Sequence, residues 1–310
     1  MVVLVTGGTG YLGRAIVKAL AARGHEPVIF ARHATSSGLP GRLLDGDVRD
    51  ARAVRDAVRD IDAVCHAAAL VSLWRPRPQD FDDVNVGGLR TMIEVCRERG
   101  VPRLLYTSSF LALPPAGRDM PISANDYQRT KVLAHGVAGR AIDAGAPLII
   151  VMPGVVYGMG PRTEGNLVGG LIQDHLAGRL PGVIGADRIW SYAWADDVAD
   201  AHVTALERAP IGSRYVLGGE NVPQMRVFEI VRAVTGRSLP RRIPFAAASA
   251  AGFVEEWRAR LFGHPPLVTR GAVEIFRHDW TLDSARSERE LSYRVTPLER
   301  GIRTVLDGLS

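Results

Sequence analysis

Thr6-Gly7-Gly8-Thr9-Gly10-Tyr11-Leu12-Gly13 lies at the end of the apolar run Val2–Thr6 and opens a segment of helical periodicity over residues 11–23. Its glycines satisfy the pattern G-x-G-x-x-G and the overlapping pattern G-x-x-G-x-x-G. Glycines at these spacings permit a tight turn and let the backbone approach a pyrophosphate, whose charge the N-terminus of the following helix stabilises. The stretch therefore predicts a dinucleotide-binding turn, and a simple tight turn is the alternative.

Outward from this turn, short apolar runs alternate with amphipathic segments through the first half of the chain. The predicted strands cover residues 2–6, 28–31, 42–44, 63–67, 104–107 and 148–152. The predicted helices cover residues 11–23, 50–59, 81–99 and 126–143. This alternation is typical of a parallel sheet covered on both faces. We therefore predict an α/β fold with a Rossmann-type, doubly wound parallel sheet.

The pattern changes after Pro153, where a segment rich in glycine and proline begins. Beyond it, helices are predicted over residues 167–179, 196–208, 224–235, 245–262 and 297–309, with one more strand over 214–217. We predict a smaller, mainly helical C-terminal substrate domain. Residues 1–160 plus about 188–218 would form the dinucleotide-binding domain, and about 161–187 plus 219–310 the substrate domain.

Composition narrows the possible partners. The net charge of this 310-residue chain is +5, but its arginines form no dense basic run, which argues against a nucleic-acid partner. Cys65 and Cys96 lie in apolar stretches and are expected to be buried, reduced thiols, and the eight histidines show no metal-ligand spacing. No signal peptide or membrane span is recognisable, so we expect a cytoplasmic protein without a metal.

Lysine is rare in this chain: only two of its 38 basic residues are lysines. One of them, Lys131, lies four residues after Tyr127, and on a helix this spacing puts both side chains on one face, one turn apart. Arginine is a poor substitute where a compact ammonium must reach a sugar hydroxyl and lower the pKa of a phenol. The spacing alone does not establish a catalytic pair, so the neighbouring motifs have to be considered as well.

The end of the second predicted strand bears on the choice of dinucleotide. An NAD site places an acidic residue there, whereas this chain has Ala31-Arg32, whose guanidinium suits a 2′-phosphate. We therefore favour NADP(H), with NAD(H) as the alternative, although Arg32 could also be a solvated loop residue. Asp47-Val48, after the third predicted strand, is placed to meet the adenine edge, and Asp47 could equally cap a helix.

These motifs, together with others in the same order, resemble the extended short-chain dehydrogenases/reductases of the NAD-dependent epimerase/dehydratase family over essentially the whole chain. The others are His66-Ala67-Ala68-Ala69, Asn85, Tyr106-Thr107-Ser108-Ser109, Pro153-Gly154-Val155-Val156-Tyr157-Gly158 and Trp194-Ala195-Asp196-Asp197-Val198-Ala199. Leu73-Trp74, the loop over residues 162–166 and the turn Gly218-Gly219-Glu220 resemble the dihydroflavonol-reductase-like branch.

The resemblance implies roles for particular residues. Tyr127 would be the general acid, and Lys131 would lower the pKa of Tyr127 and bind the nicotinamide ribose. Ser109 would donate a hydrogen bond to the substrate carbonyl, with Ser108 as its rival, and Asn85 would fix a backbone turn. The cofactor would contact Gly7, Thr9, Gly10, Tyr11, Leu12, Gly13, Arg32, Asp47, Val48, Ala67, Ala68, Ala69, Tyr127, Lys131, Pro153, Val155 and Val156.

Two departures from the family pattern guide the functional prediction. Phe110-Leu111 stand where sugar dehydratases carry an Asp-Glu pair, so the acids for water elimination are missing. The segment between Ser109 and Tyr127 is short, so we expect the pocket to depend more on the C-terminal region. We predict an NADPH-dependent reductase of a small or medium apolar ketone or aldehyde.

Two other functions remain as alternatives. One is a nucleotide-sugar 4-epimerase with tightly bound NAD, and the other is a redox sensor that holds a dinucleotide without catalysis. The resemblance also implies a homodimer formed through the catalytic helix and its neighbour, for which the alanine-rich segment over residues 132–144 could serve. The five tryptophans are expected in the core or at an interface.

Overall fold

The computed structural model describes residues 1–309, and a seven-stranded sheet lies at its centre. The strands are β1 (Val2–Thr6), β2 (Glu26–Ala31), β3 (Arg42–Asp45), β4 (Ala63–His66), β5 (Leu104–Thr107), β6 (Leu148–Pro153), β7 (Val155–Tyr157), β8 (Val183–Ile184), β9 (Ile189–Trp194), β10 (Arg214–Leu217), β11 (Glu220–Pro223) and β12 (Arg242–Ile243). The central sheet has the order β10-β6-β5-β4-β1-β2-β3, with every neighbouring pair parallel. This confirms the predicted Rossmann-type α/β fold.

The helices flank this sheet or follow it in the chain. They are α1 (Tyr11–Ala22), α2 (Ala51–Ala57), α3 (Gln79–Phe81), α4 (Gly88–Glu98), α5 (Asp126–Asp143), α6 (Leu167–Leu176), α7 (Ala195–Arg208), α8 (Met225–Thr235), α9 (Phe245–Phe262), α10 (Arg270–Phe276), α11 (Ala285–Leu291) and α12 (Leu298–Asp307). The predicted single helix over residues 81–99 was wrong in one respect, because the π-helical segment Asp82–Gly87 separates α3 from α4.

The central strands are buried on both faces, as their continuous apolar sequences require. Successive side chains alternate between the faces, so Val3 and Val5 pack on the side of α1 and α7. Leu4 and Val28 pack on the opposite side, against α2, α4 and α5. Burial on both faces is the arrangement expected of a parallel sheet covered by crossover helices.

The C-terminal part is less purely helical than predicted. β9 pairs with β7 and β11 in a three-stranded sheet, and β8 pairs with β12. The segment around residues 190–194, for which no strand was predicted, is part of the central strand of that small sheet. α10 and α11 also lie in a part of the chain for which no element was predicted. The proposed domain limits stay a prediction.

Several smaller expectations concern particular side chains. Cys65 and Cys96 are buried and unpaired, and burial raises the pKa of both thiols to about 12. Asp197 accepts a hydrogen bond from the Thr296 backbone N–H at 2.7 Å, so the first turn of α7 anchors the C-terminal part. Leu133 is exposed on α5, and the homodimer stays a prediction. Within residues 1–309, no helix has the length and apolar character to cross a membrane.

Candidate active site

A cavity of about 1020 Å³ opens at the carboxyl ends of β1, β4 and β5. The strand order reverses between β1 and β4, and ligands of open α/β sheets bind at such a switch point. The structure brings all the candidate catalytic and cofactor residues to the wall of this cavity: Gly7, Thr9, Gly10, Tyr11, Leu12, Gly13, Arg32, Asp47, Val48, Ala67, Ala68, Ala69, Ser109, Tyr127, Lys131, Pro153, Val155 and Val156.

The glycine turn between β1 and α1 fits too closely to admit side chains. Gly7 has a φ of +68°, and a Cβ there would lie 2.7 Å from the Ala68 Cα. A Cβ on Gly13 would lie 2.1 Å from the carbonyl oxygen of Gly7. Gly10 caps α1 without a side chain, so the first backbone N–H groups of the helix remain available to an anion. The turn therefore fits the pyrophosphate of a dinucleotide.

The neighbouring strand end holds this turn in place. Thr6 Oγ1 lies 2.9 Å from His66 Nδ1 and accepts a hydrogen bond from the Ala68 backbone N–H at 3.2 Å. These contacts tie the end of β1 to the end of β4, directly below the turn. His66 packs beside the turn, and burial lowers its pKa to about 3, so it is neutral there.

The end of the cavity beside β2 and β3 carries positive charge. Arg32 is exposed and forms no salt bridge with residues 1–309. Asp47 binds the Arg49 guanidinium at 2.7 and 3.0 Å, which holds the pKa of the Asp47 carboxyl below its usual range. The alternative role of Asp47 as a helix cap was wrong, because Asp50 caps α2.

Tyr127 and Lys131 lie on the first two turns of α5. Asn125 begins the helix by accepting a hydrogen bond from the Gln128 backbone N–H at 2.8 Å. The Lys131 side chain is only 3% exposed, and its Nζ donates a hydrogen bond to the Thr107 carbonyl at 3.2 Å. The β5 backbone therefore anchors the Lys131 ammonium, and Tyr127 and Lys131, one helical turn apart, both line the cavity.

Burial dominates the electrostatics of this pair. It raises the pKa of the Tyr127 phenol to about 12, and a hydrogen bond to Ser109 acts in the opposite direction. Burial also lowers the pKa of Lys131 to about 8. The predicted lowering of the Tyr127 pKa by Lys131 is therefore not seen in this structure, where loss of solvent is the largest cause of the shift.

The two serines after β5 have different partners. Ser109 hydrogen-bonds Tyr127 and accepts a hydrogen bond from the Leu111 backbone N–H at 3.2 Å. Ser108 Oγ instead lies 3.1 Å from His135 Nδ1, a residue on α5. The hydroxyl of Ser109 is thus the one adjacent to the candidate acid, which supports Ser109 over Ser108.

Two separate sets of buried polar contacts lie near the pair, one towards α5 and one towards α7, and most of them were not predicted. Asn85 Nδ2 donates to Thr130 Oγ1 at 3.0 Å, and Asn85 Oδ1 accepts from the Leu70 backbone N–H at 2.7 Å. Asn85 thus fixes a backbone segment, as expected. Thr107 Oγ1 lies 3.0 Å from His202 Nε2, and His202 Nδ1 lies 2.7 Å from the Val198 carbonyl.

The other half of the cavity is largely apolar, and sequence reasoning did not identify it. Trp190 and Phe276 stack there with their ring centroids 4.8 Å apart. The apolar lining also includes Phe110, Leu111, Leu171, Pro265, Pro266, Ala272 and Ile275. Phe110 and Leu111 occupy the positions at which sugar dehydratases carry an Asp-Glu pair. Residues between 265 and 276 also line the cavity, as expected from the short segment between Ser109 and Tyr127.

Comparison with known proteins assigns the family. The sequence profile of the NAD dependent epimerase/dehydratase family matches residues 3–218. The chain is 31% identical to "Sterol demethylase protein B" of Methylococcus capsulatus, over 94% of this chain and 93% of that protein. It is 30% identical to the "2-alkyl-3-oxoalkanoate reductase" of Stenotrophomonas maltophilia, over 98% of each.

A solved structure shares the fold over nearly the whole chain. The UDP-glucose 4-epimerase of Thermus thermophilus, determined as a complex with NAD, matches with a TM-score of 0.74 and 25% identity, over 99% of this chain and 98% of that one. The glycine turn, the Ser109–Tyr127–Lys131 set and these similarities agree. The chain belongs to the NAD-dependent epimerase/dehydratase family and is an NAD(P)-dependent oxidoreductase of the extended short-chain dehydrogenase/reductase type.

Proposed function

We propose that this enzyme is an NADPH-dependent reductase of a ketone carried on a lipid-like, apolar molecule. The composition of the cavity is the observation that carries the proposal. One end has the glycine turn and Arg32, and the centre has Ser109, Tyr127 and Lys131. The other end is largely apolar. Ligand cavities commonly combine apolar walls with a few placed polar groups that orient the reacting atoms.

The proposed reaction divides the work among three side chains. When bound, the reduced nicotinamide dinucleotide supplies a hydride to the carbonyl carbon. The Tyr127 hydroxyl gives its proton to the carbonyl oxygen, so the ketone becomes an alcohol, and the Ser109 hydroxyl donates a hydrogen bond to that oxygen. Lys131 holds the ribose and places positive charge beside the phenol as its proton leaves.

Preference for NADPH is supported by Arg32. Its guanidinium is exposed at the cavity wall and unpaired within residues 1–309, so it is available to a 2′-phosphate. The Asp47 carboxylate, the nearby acid, is already engaged by Arg49. The first residue after β2 is thus a cation in place of the acid that would bind the ribose hydroxyls of NAD.

The class of substrate is supported by the apolar end of the cavity and by the names of the relatives. One relative is named as a reductase of a 2-alkyl-3-oxoalkanoate, and another is named for a sterol. Both compounds have large hydrocarbon parts. The epimerase alternative is not favoured, because the relatives at or above 30% identity carry other names.

Turnover with a ketone panel tests the proposal. Purified enzyme should oxidise NADPH when a long-chain 3-oxo acid or a steroid ketone is present and form the corresponding alcohol. Tyr127→Phe should lower kcat by about 100-fold or more while leaving NADPH binding within a few-fold of wild type. An enzyme that reduces none of these ketones, but interconverts UDP-sugars with cofactor retained, would overturn the proposal in favour of the epimerase.

A further inference from the structure

Helix α9 presents its apolar side chains to the surroundings. Trp257 is 58% exposed and Leu267, just beyond the helix, is 86% exposed. The other large apolar side chains that are more than half exposed here are Phe253, Val254, Leu261 and Phe262. We call these six residues the α9 patch. An apolar surface of this extent is unusual on a protein that acts alone in water.

The acidic residues of α9 face the protein instead. Glu256 accepts hydrogen bonds from the Arg270 backbone N–H at 2.7 Å and from its guanidinium at 2.9 and 3.0 Å. Glu255 accepts from Arg258 at 2.6 Å and from the Leu267 backbone N–H at 3.2 Å. Both carboxylates are neutralised beside the body of the protein, so the outer face of α9 carries no free negative charge from them.

Positive charge borders the apolar stripe on both sides. Successive residues of a helix are rotated by about 100°, so one line along α9 passes within about 40° of Phe253, Trp257 and Leu261. Arg260 lies about 60° to one side of Trp257 and Arg258 about 100° to the other. Both arginines are exposed; Arg258 is paired with Glu255, and Arg260 forms no salt bridge within residues 1–309. An apolar centre with aromatic residues and basic flanks is typical of helices that lie in a membrane interface.

We propose that the α9 patch docks this enzyme on the surface of an anionic lipid bilayer. The apolar stripe would enter the acyl boundary, while the unpaired Arg260 guanidinium would bind a lipid phosphate. A second copy of the chain is the poorer occupant, because a twofold contact through this patch would bring basic borders together. An anionic bilayer complements both the apolar centre and the charge.

The patch is continuous with the cavity. Pro265 and Pro266 follow α9 directly and line the cavity, and Leu267 of the patch comes next in the chain. Docking would therefore bring this wall of the cavity to the bilayer. The consequence that a lipid-like ketone reaches the site from the membrane rests on the proposed function, whereas docking itself does not.

Vesicle co-sedimentation of the full chain tests the docking. Wild type should bind mixed phosphatidylcholine–phosphatidylglycerol vesicles and bind pure phosphatidylcholine vesicles more weakly. The variant Phe253→Ser/Trp257→Ser/Leu261→Ser should bind the mixed vesicles at least about tenfold more weakly. Arg260→Gln should weaken the preference for the anionic vesicles. Because all four side chains are exposed, circular dichroism should show an unchanged fold.

A matched control separates the patch from exposed apolar residues in general. Ile211→Ser/Leu309→Ser removes exposed apolar side chains elsewhere and should bind the mixed vesicles as wild type does. Equal, weak sedimentation of wild type with both vesicles would overturn the proposal. So would light scattering in which the serine variant converts a dimer to a monomer while vesicle binding stays unchanged. If the wild-type enzyme bound the mixed vesicles but reduced none of the ketones, the result would count against the proposed function alone.

Discussion

At the scale of single residues, burial changes the pKa of Lys131. It is one of two lysines in the chain, and the fold buries it between α5 and the carboxyl end of β5. Burial removes water from both Lys131 and Tyr127, which lowers the pKa of the amine and raises the pKa of the phenol. The pair is therefore set to lose the Lys131 proton first as the pH rises.

This order predicts the pH dependence of reduction. The kcat/KM for NADPH, which reports groups of the free enzyme, should be level below about pH 8 and fall above it as Lys131 loses its charge. Tyr127, with a pKa of about 12, should keep its proton throughout that range. Steady-state rates between neutral and alkaline pH check this, and a profile that stays level well above pH 8 contradicts it.

Burial of Lys131 should also cost stability. Its pKa is about 8 in the fold and ordinarily 10.5, so the unfolded chain binds more protons between these values and stability rises with pH across that window. At neutral pH, Lys131→Met should remove a burial cost of up to about 3 kcal/mol and lose a hydrogen bond worth about 1 kcal/mol, so the free energy of unfolding should rise. The same variant should lose most of its activity. Urea unfolding of both proteins measures this, and a less stable methionine variant would refute it.

Arg32 should determine the choice between the two dinucleotides. Arg32→Ala should raise KM for NADPH roughly 10- to 100-fold, the effect of one lost charge-assisted hydrogen bond, and leave KM for NADH nearly unchanged. Arg52→Ala removes an equal charge from α2 outside the cavity wall and serves as the control. Equal effects of Arg32→Ala on the two cofactors would show that Arg32 does not contact a 2′-phosphate.

At the scale of elements, the sequence predicted the strands and helices whose hydrophobic periodicity and capping residues are local. Strands β1 and β5, and helix α5 with its Asn125 cap, have the predicted bounds because periodicity and capping are local. The π-helical segment around Asn85 was missed because tertiary hydrogen bonds to Leu70 and Thr130 define it. The two-residue β8 and β12 were missed because each depends on a distant partner strand.

The turn between β1 and α1 makes a sharp prediction at this scale. Gly13→Ala should force the turn open, since the new Cβ would lie 2.1 Å from a backbone oxygen that has no room to move away. We expect a loss of about 1–3 kcal/mol in stability and a marked loss of dinucleotide affinity. Gly136→Ala on α5, where the nearest contact is a flexible arginine tip at 3.4 Å, should have neither effect in calorimetry and binding titration.

At the scale of the whole molecule, the sequence located the cofactor half of the cavity better than the substrate half. The glycine turn, Tyr127 and Lys131 belong to motifs, so they could be found before the fold was known. Trp190 and Phe276 belong to no motif and meet only because the C-terminal part folds back over the sheet. Their stacking could not be derived from spacing, since they lie on separate elements far apart in the chain.

Isotope transfer tests the central claim, which is net hydride transfer to a carbonyl. NADPH carrying deuterium at nicotinamide C4, in each of its two stereochemical forms, would be incubated with enzyme and a ketone that it reduces. Mass spectrometry should find one deuterium on the alcohol carbon from one form and none from the other, with Tyr127→Phe forming about 100-fold less product. An alcohol without deuterium from either form would contradict the account.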